Sequence, residues 1–407
     1  MKKILFVLGG LSIGGVETYV VRLAKELKGQ GHHIDILLLS GKYDPGLFAQ
    51  LRKFSSITVI EKVGFLGASS WINALLPNSE RPEVHYDVIH VVDLLTLAYV
   101  YLNREYYSFS GLSIGIYHSK EFCWWREHNI YFRKKMLELY DKNVKLTLFP
   151  NESTAEMASQ FCGIGSSSLH ILPLGISIKS YQNKKPNKQS LRIVSVGRLV
   201  DFKVYNAHVI SQMPKLREID DFEYFIYGTG PELASLQLLA SECGVGEYVH
   251  FMGEIEYSEL PAVLDGSFCF VGSGTTIIEA SAAGIPSVVG IESIVLPLTC
   301  GLFSDVVGYS YNEESATTIR VGIFEVIQSL YELNDTQYYL VSESHRHKAN
   351  DFDIEKTSIL FLEQSNQQPI FDFSFNRWRA LLSFGASILS LGPKALKSRF
   401  DRSESVV

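Results

Sequence analysis

The chain has no closely spaced cysteine pair. Its five cysteines, Cys123, Cys162, Cys243, Cys269 and Cys300, lie 26 or more residues apart, with no Cys-x-x-Cys and no histidine cluster at zinc spacing. This excludes a disulfide-built scaffold and a Cys/His zinc module, and it fits a reducing cytoplasm. Positive charge is also scarce, with 37 Lys and Arg against 44 Asp and Glu and a formal charge of −7. A dedicated nucleic-acid binder is excluded, and any anion site must be local. No G-x-G-x-x-G turn is present near the N-terminus with an acid placed to hold a ribose, which argues against a nicotinamide dehydrogenase. Lys2 and Lys3 precede an apolar run, Ile4 to Leu8, that stops at Gly9 and Gly10 with no small-x-small cleavage site, so a secretory signal is not expected.

The 407 residues, 46 % of them apolar and 20 % charged, suffice for two substantial folded domains. Lys2 to Leu8 reads as a buried strand, Gly9 to Gly15 as a glycine turn, and Val16 to Leu27 as a helix whose apolar positions recur every three or four residues. Further apolar runs at Ile34 to Leu39, Val88 to Val92, Ile114 to Tyr117 and Leu146 to Phe149 alternate with helical stretches, which implies a parallel sheet. The polar stretch Lys179 to Ser190 is the expected linker. Beyond it the pattern repeats with strands at Arg192 to Val196, Glu223 to Tyr227, Tyr248 to Met252, Phe268 to Val271 and Ser287 to Ile291, and a helix from Pro231. The expected fold is α/β: two doubly wound, Rossmann-like domains facing across a cleft, with ligands at the carboxyl ends of the strands. The expected boundaries are 1–180 and 190–362, with 363–407 as a crossing helix and a basic amphipathic tail.

Three segments could carry chemistry. In the segment from Gly272 to Pro286 a strand ends in a turn, Gly274-Thr275-Thr276, that opens an apolar helix, so free backbone donors converge on one spot suited to phosphate. Glu279 is expected in the first turn of that helix, where ligand hydroxyls could serve it; Thr276 and Glu279 also have the spacing of a capping box. In Gly197-Arg-Leu-Val-Asp-Phe-Lys203, the cations Arg198 and Lys203 stand near a helix start and oppose its dipole, which an anion such as a diphosphate would explain; two solvated surface charges are the plainer alternative. Gly9 to Gly15 could approach a phosphate or a sugar, and His118 stands at a strand's carboxyl end as either a site residue or a structural one.

In this order the fragments GGLSIGGVET, His118, GRLVDFK, YGTGPE, VHFMGE and GTTIIEASAAGIP resemble glycosyltransferase family 4, the retaining nucleotide-sugar transferases of the GT-B fold, from Lys3 to about Leu362. The resemblance implies that Gly14 and Gly15 line the cleft from the acceptor-side domain and that His118 faces the donor sugar. It also implies that Arg198 and Lys203 hold the diphosphate, that Gly228, Gly230 and Gly253 lie near the nucleoside, and that Gly274, Thr275 and Thr276 flank Glu279, which binds the ribose. Two positions depart from the pattern. Val271 stands where the family carries the first of two glutamates, so the acid's contact to the donor sugar must come from elsewhere or be lost. Val204 stands where a glycine usually follows the second cation.

The implied reaction transfers a sugar from a UDP- or GDP-sugar to a lipid-linked or oligosaccharide acceptor in cell-surface polysaccharide synthesis. It uses no metal or cofactor, because cations and helix donors stabilise the departing phosphate and that phosphate helps deprotonate the acceptor on the same face. A sugar-nucleotide epimerase of the same fold and a catalytically silent nucleotide-sugar-binding subunit are the alternatives. Two segments suggest a membrane surface on the cytoplasmic side. Trp124 to Lys135 interleaves aromatics with cations, as does a helix packed on its own domain. Arg377 to Arg402 carries six Lys or Arg against Asp401 alone, around an apolar stretch, Ala380 to Gly392, too short to span a bilayer.

Overall fold

The computed structural model describes residues 1–12, 14–60, 70–76, 84–118, 121, 130–162, 169–310 and 319–390. The chain divides into two compact units, Met1–Gly175 with Glu355–Val407, and Ile176–Ile354. Among the described residues each is built on a seven-stranded sheet.

In the first unit the strands are β1 (Lys3–Leu8), β2 (His33–Leu38), β3 (Ser56–Val59), β4 (Val84–Val91), β5 (Tyr107–Gly115), β6 (Thr147–Phe149) and β7 (His170–Ile171). They pair in the order β3-β2-β1-β4-β5-β6-β7, all parallel. Ile4 to Leu8 are buried without alternation, as expected of a strand covered on both faces. The helices include α1 (Gly15–Gly29), α2 (Pro45–Arg52), α3 (Ser70–Leu75), α4 (Leu94–Leu102), α5 (Ile130–Asn143) and α6 (Glu152–Cys162). All nine residues of α4 are buried, and Asp93 starts it with a capping box in which its carboxylate accepts from Thr96 N at 2.6 Å.

The second unit has strands β8 (Arg192–Val196), β9 (Glu223–Tyr227), β10 (Val249–Gly253), β11 (Cys269–Gly272), β12 (Ser287–Gly290), β13 (Leu298–Leu302) and β14 (Val321–Gly322), in the order β10-β9-β8-β11-β12-β13-β14. The expectation of a parallel sheet holds as far as β12; β13 pairs antiparallel with both β12 and β14 and so runs against the rest. Its helices are α7 (Tyr205–Ile219), α8 (Leu233–Glu242), α9 (Leu260–Leu264), α10 (Thr275–Ala282), α11 (Ile323–Glu332) and α12 (Asp335–Ala349). In both sheets the strand order reverses once, beside β1 and β4 and beside β8 and β11, and such a reversal opens a crevice at the carboxyl ends.

The crossings between units differ from the expected boundaries. The break lies at Gly175–Ile176, and the Lys179–Ser190 stretch packs on the second unit rather than spanning a gap. Lys185 N donates to Asp265 Oδ1 at 3.1 Å, and Asn187 N donates to Ser267 O at 3.1 Å. At the other crossing, α13 (Ile354–Gln364) joins the first unit from Glu355 onward. Phe361 is fully buried there, stacked 5.8 Å from Phe6 and edge-on to the His90 ring at 5.3 Å. Residues 365–376 then run along the first unit, where Phe371, Phe373 and Phe375 pack against its core. Phe132 is buried beneath Phe375, and Tyr131 stacks on it. These two aromatics of the Trp124 to Lys135 pattern therefore serve the first unit's packing; residues 122–129 lie outside the described residues.

The last described helix, α14 (Arg377–Ser390), buries Ala380 and packs on α5 and α3, while Trp378 is 63 % and Leu382 is 76 % exposed. The basic residues from Lys394 to Arg402 lie outside the described residues.

Candidate active site

In the second unit the loops after β8 and β11 flank the reversal of strand order. The first, Gly197 to Lys203, is stitched to the β9 turn. Gly197 N donates to Tyr227 O at 2.9 Å, Leu199 N to Thr229 O at 2.9 Å, and Gly228 N to Gly253 O at 2.7 Å. This close approach explains two glycines. Gly228 (φ +138°) and Gly230 (φ +156°) adopt backbone angles that disfavour side chains, and a Cβ on either would sit 1.9 Å from Gly197 O or 2.1 Å from Leu199 O. The loop thus presents Arg198, which is exposed, and Lys203, whose Nζ lies 3.3 Å from the position a Gly197 Cβ would take. Val204 precedes α7 in an ordinary right-handed conformation, so the glycine absent there is not demanded by the backbone.

The second loop turns at Gly274 (φ +70°), which precedes α10 without a side chain to cap it. The first helical amides, from Thr275 and Thr276, are therefore left to the turn. The Thr276 hydroxyl donates to Ser273 O at 3.1 Å and across to Val196 O, the end of β8, at 3.3 Å. That bond ties the two loops together and corrects the capping-box expectation. Glu279 lies in the second turn of α10 and not the first, because the helix starts at Thr275. It is fully buried, and its Oε1 accepts a short hydrogen bond from the Tyr257 hydroxyl. Tyr257 is 47 % exposed, on the turn that follows β10.

Val271 occupies β11 and is fully buried within the unit's core. A carboxylate at that position would be enclosed by apolar side chains, so the strand does not present this position to the loop. No sequence pattern marks Glu292, half-buried just past the end of β12, where Ser273 Oγ donates to its Oε1 at 2.8 Å. A lone glutamate gives no signal in sequence; only the fold brings it beside the β11 turn. Tyr257 was missed for the same reason.

In the first unit, Gly14 precedes α1, and Glu17 curls back so that its Oε2 lies 2.5 Å from where a Gly14 Cβ would be. Ser12 Oγ donates to Glu17 Oε1 at 3.3 Å. Gly15 is exposed at the first position of the helix. A carboxylate stationed there complements the positive end of the helix dipole and repels phosphate. Near α4 the pattern recurs: besides the Asp93 cap, buried Glu121 accepts from Leu94 N at 3.2 Å. Burial raises the Asp93 carboxyl above its ordinary range, against bonds from Thr96 and Leu95 that lower it. His118 is exposed three residues beyond β5, and its carbonyl accepts from Glu121 N at 3.0 Å. Buried His90, below that edge, bonds Ser113 Oγ at 2.9 Å and Tyr117 OH at 2.8 Å; burial lowers its pKa from 6.5 to about 3. Among the described residues no His, Cys, Asp and Glu cluster could hold a metal ion.

Comparison with known proteins gives the same division. The profile described as Glycosyltransferase Family 4 matches residues 13–180, and that described as Glycosyl transferases group 1 matches residues 177–300. Over 149 residues the chain is 30 % identical to a GDP-mannose-dependent alpha-(1-6)-phosphatidylinositol monomannoside mannosyltransferase of Mycobacterium tuberculosis, a match over 31 % of this chain and 38 % of that relative's length. It is 24 % identical to an uncharacterized glycosyltransferase of Haemophilus influenzae, over 88 % of this chain and 98 % of the relative. HepE of Anabaena, solved with UDP and glucose, shares the fold at a TM-score of 0.59 and 15 % identity, over 89 % of this chain and 99 % of its own. The two profiles, which overlap at residues 177–180 just past the crossing at Gly175–Ile176, together with the GT-B fold shared with HepE, close on one assignment: by its profiles the chain belongs to the family 4 glycosyltransferases.

Proposed function

We propose that the protein is a retaining, metal-independent transferase that moves a sugar from a UDP- or GDP-sugar to a lipid-linked or oligosaccharide acceptor in cell-surface polysaccharide synthesis. The observation that carries this is the union, at one reversal of strand order, of the uncapped start of α10 with the loop bearing Arg198 and Lys203. Backbone donors and two cations there meet a nucleoside diphosphate, and Glu279 takes the ribose hydroxyls in exchange for the Tyr257 phenol. As the anomeric bond breaks, negative charge grows on the departing phosphate oxygen, where the cations and helix donors lower the barrier. That oxygen then accepts the acceptor's proton on the same face, which gives retention. In the first unit, taken by itself, the carboxylate-guarded helix ends favour a hydroxyl-bearing acceptor over a phosphate. The mannosyltransferase relative, which by its name uses GDP-mannose and a phosphatidylinositol mannoside, supports a nucleotide-sugar donor and a lipid-linked acceptor.

The lipid-linked acceptor would be met at a membrane surface on the cytoplasmic side. Exposed Trp378 and Leu382, one helical turn apart on α14, adjoin the sequence's basic tail and support this. Among the described residues no helix is long and apolar enough to cross a membrane. Trp378→Ser with Leu382→Ser tests the contact better than truncation near Pro369, which would strip Phe371, Phe373 and Phe375 from the core; the pair is expected to lose flotation with anionic liposomes.

For the reaction itself, purified protein given radiolabelled UDP- and GDP-sugars with membrane lipid extract is expected to transfer label, and Arg198→Ala to abolish it. Equal transfer by the variant would overturn the proposal. Buried Val271 favours one alternative, a nucleotide-sugar-binding subunit without turnover, for which binding would persist with no transfer by the unaltered chain. Release of nucleotide without an acceptor would instead indicate an epimerase.

A further inference from the structure

The donor sugar needs a partner that Val271 does not provide. We infer that Glu292 receives the hydroxyls of the transferred sugar and restricts the donor to a neutral sugar, an inference that rests on the proposed nucleotide-sugar site. Glu292 stands at the carboxyl end of β12, next to β11 in the sheet, and Ser273 holds its Oε1 at 2.8 Å from the turn that opens α10. Ser273 is itself buried, so the hydroxyl that orients the carboxylate is fixed. On its other side the loop is latched to the cation loop. Ser293, the next residue, takes a left-handed conformation (φ +59°) unusual for a side chain, and its N–H donates to Phe202 O at 2.8 Å, next to Lys203. Glu292 is thereby tethered to both loops of the proposed diphosphate site.

The other acids near this edge do not have that placement. Asp201 and Glu254 are exposed, Glu232 is engaged with Ser235, Glu256 and Glu259 cap their own turn, and Glu279 is bonded to Tyr257. A carboxylate so near two phosphate-binding cations would oppose the diphosphate unless it is directed at another part of the ligand. A neutral sugar supplies hydroxyl donors for the Glu292 acceptor oxygens and gains positive charge on its ring as the anomeric bond breaks, both of which a carboxylate favours. A uronosyl donor would bring a second carboxylate to the same place and be repelled.

The test measures, on the full chain, the affinity of UDP, GDP, their neutral hexose conjugates and UDP-glucuronate by calorimetry, together with label transfer. Glu292→Gln is expected to leave the affinity for the bare diphosphate within about twofold while lowering kcat/KM for the neutral donor about 100-fold. It is also expected to narrow the preference for neutral over uronosyl donor about tenfold, an effect a merely structural role would not produce. Ser273→Ala, which frees the carboxylate's orientation, is expected to reproduce about a tenth of the kcat/KM loss, with the diphosphate again unaffected. Unchanged kcat/KM and donor preference in Glu292→Gln would overturn the inference and leave the nucleotide site standing, as would an equal loss of diphosphate affinity. An unaltered chain that binds no diphosphate would overturn the site and the inference with it.

Discussion

The two units share a strand order in which the sheet reverses beside its first strand, yet their carboxyl edges are chemically opposite. In the first unit the helix starts are already attended by the chain's own acids: Glu17 folds over Gly14, Asp93 caps α4, and Glu121 accepts from Leu94 N. In the second unit α10 begins after a bare glycine, and the neighbouring loop carries Arg198 and Lys203. A helix start is an anion site only while no resident anion holds it. On the proposed reading, the same topology thus offers a phosphate site in one unit and a site for neutral hydroxyls in the other.

The largest effect expected from this contrast is in the second unit. Arg198→Ala combined with Lys203→Ala should reduce label transfer by about 1000-fold or more, since in the proposed reaction both cations face the charge that develops on the leaving phosphate. Transfer surviving within tenfold would break the comparison. Gly228→Ala comes next. Its Cβ would lie 1.9 Å from Gly197 O, so the loop that bears the cations must shift; nucleoside diphosphate affinity in calorimetry should fall about 100-fold, with an unfolding cost on the order of 1–3 kcal/mol for the strained backbone.

A smaller effect lies in the cores. Burial holds His90 neutral with a pKa near 3 against its ordinary 6.5, so the unfolded chain binds the extra proton that the folded one refuses. The stability this group contributes is complete above pH 6.5 and is lost as pH falls from 6.5 toward 3. Acid should therefore loosen the Ser113–His90–Tyr117 network, visible as hydrogen exchange in β4 and β5, and His90→Gln should flatten that dependence. His345 in the second unit is also shifted down by burial, against bonds to Val341 O and Ser287 O that raise it, and its Nε2 accepts from Ser287 N at 2.9 Å, so in that core acid should loosen β12. The smallest effect is that of Glu17→Gln. Removing a carboxylate from a helix start should cost about 0.3–1 kcal/mol in denaturant unfolding and leave diphosphate affinity unchanged. A marked change in that affinity would place the phosphate in the wrong unit.

These contrasts were unequally legible in the sequence. β8 and β9 can be bounded to the residue because continuous β-branched and aromatic runs end at glycines. The two-unit plan follows from the repeated strand, glycine turn and helix. The cation loop and the Gly274 turn were also visible, since charge against a helix dipole and a glycine before an apolar helix are local signals.

What was not visible depends on neighbours distant in the chain. Thr276 has capping-box spacing with Glu279, but the helix starts one residue earlier and Thr276 reaches Val196 instead. Glu292 becomes a candidate only when β11 and β12 pair and bring Ser273 against it. Lys179 to Ser190 reads as a linker because its polar groups find partners only in the folded second unit, at Asp265 and Ser267. Phe371, Phe373 and Phe375 alternate like an exposed strand, yet they cover the first unit's core.

Hydrogen exchange of the full chain, with and without saturating UDP or GDP, tests the central claim most directly. The account predicts new protection across Gly197 to Lys203 and Gly272 to Glu279, with none across Gly9 to Ser12 or Asp93 to Leu97. Protection confined to the first unit's loops would contradict it.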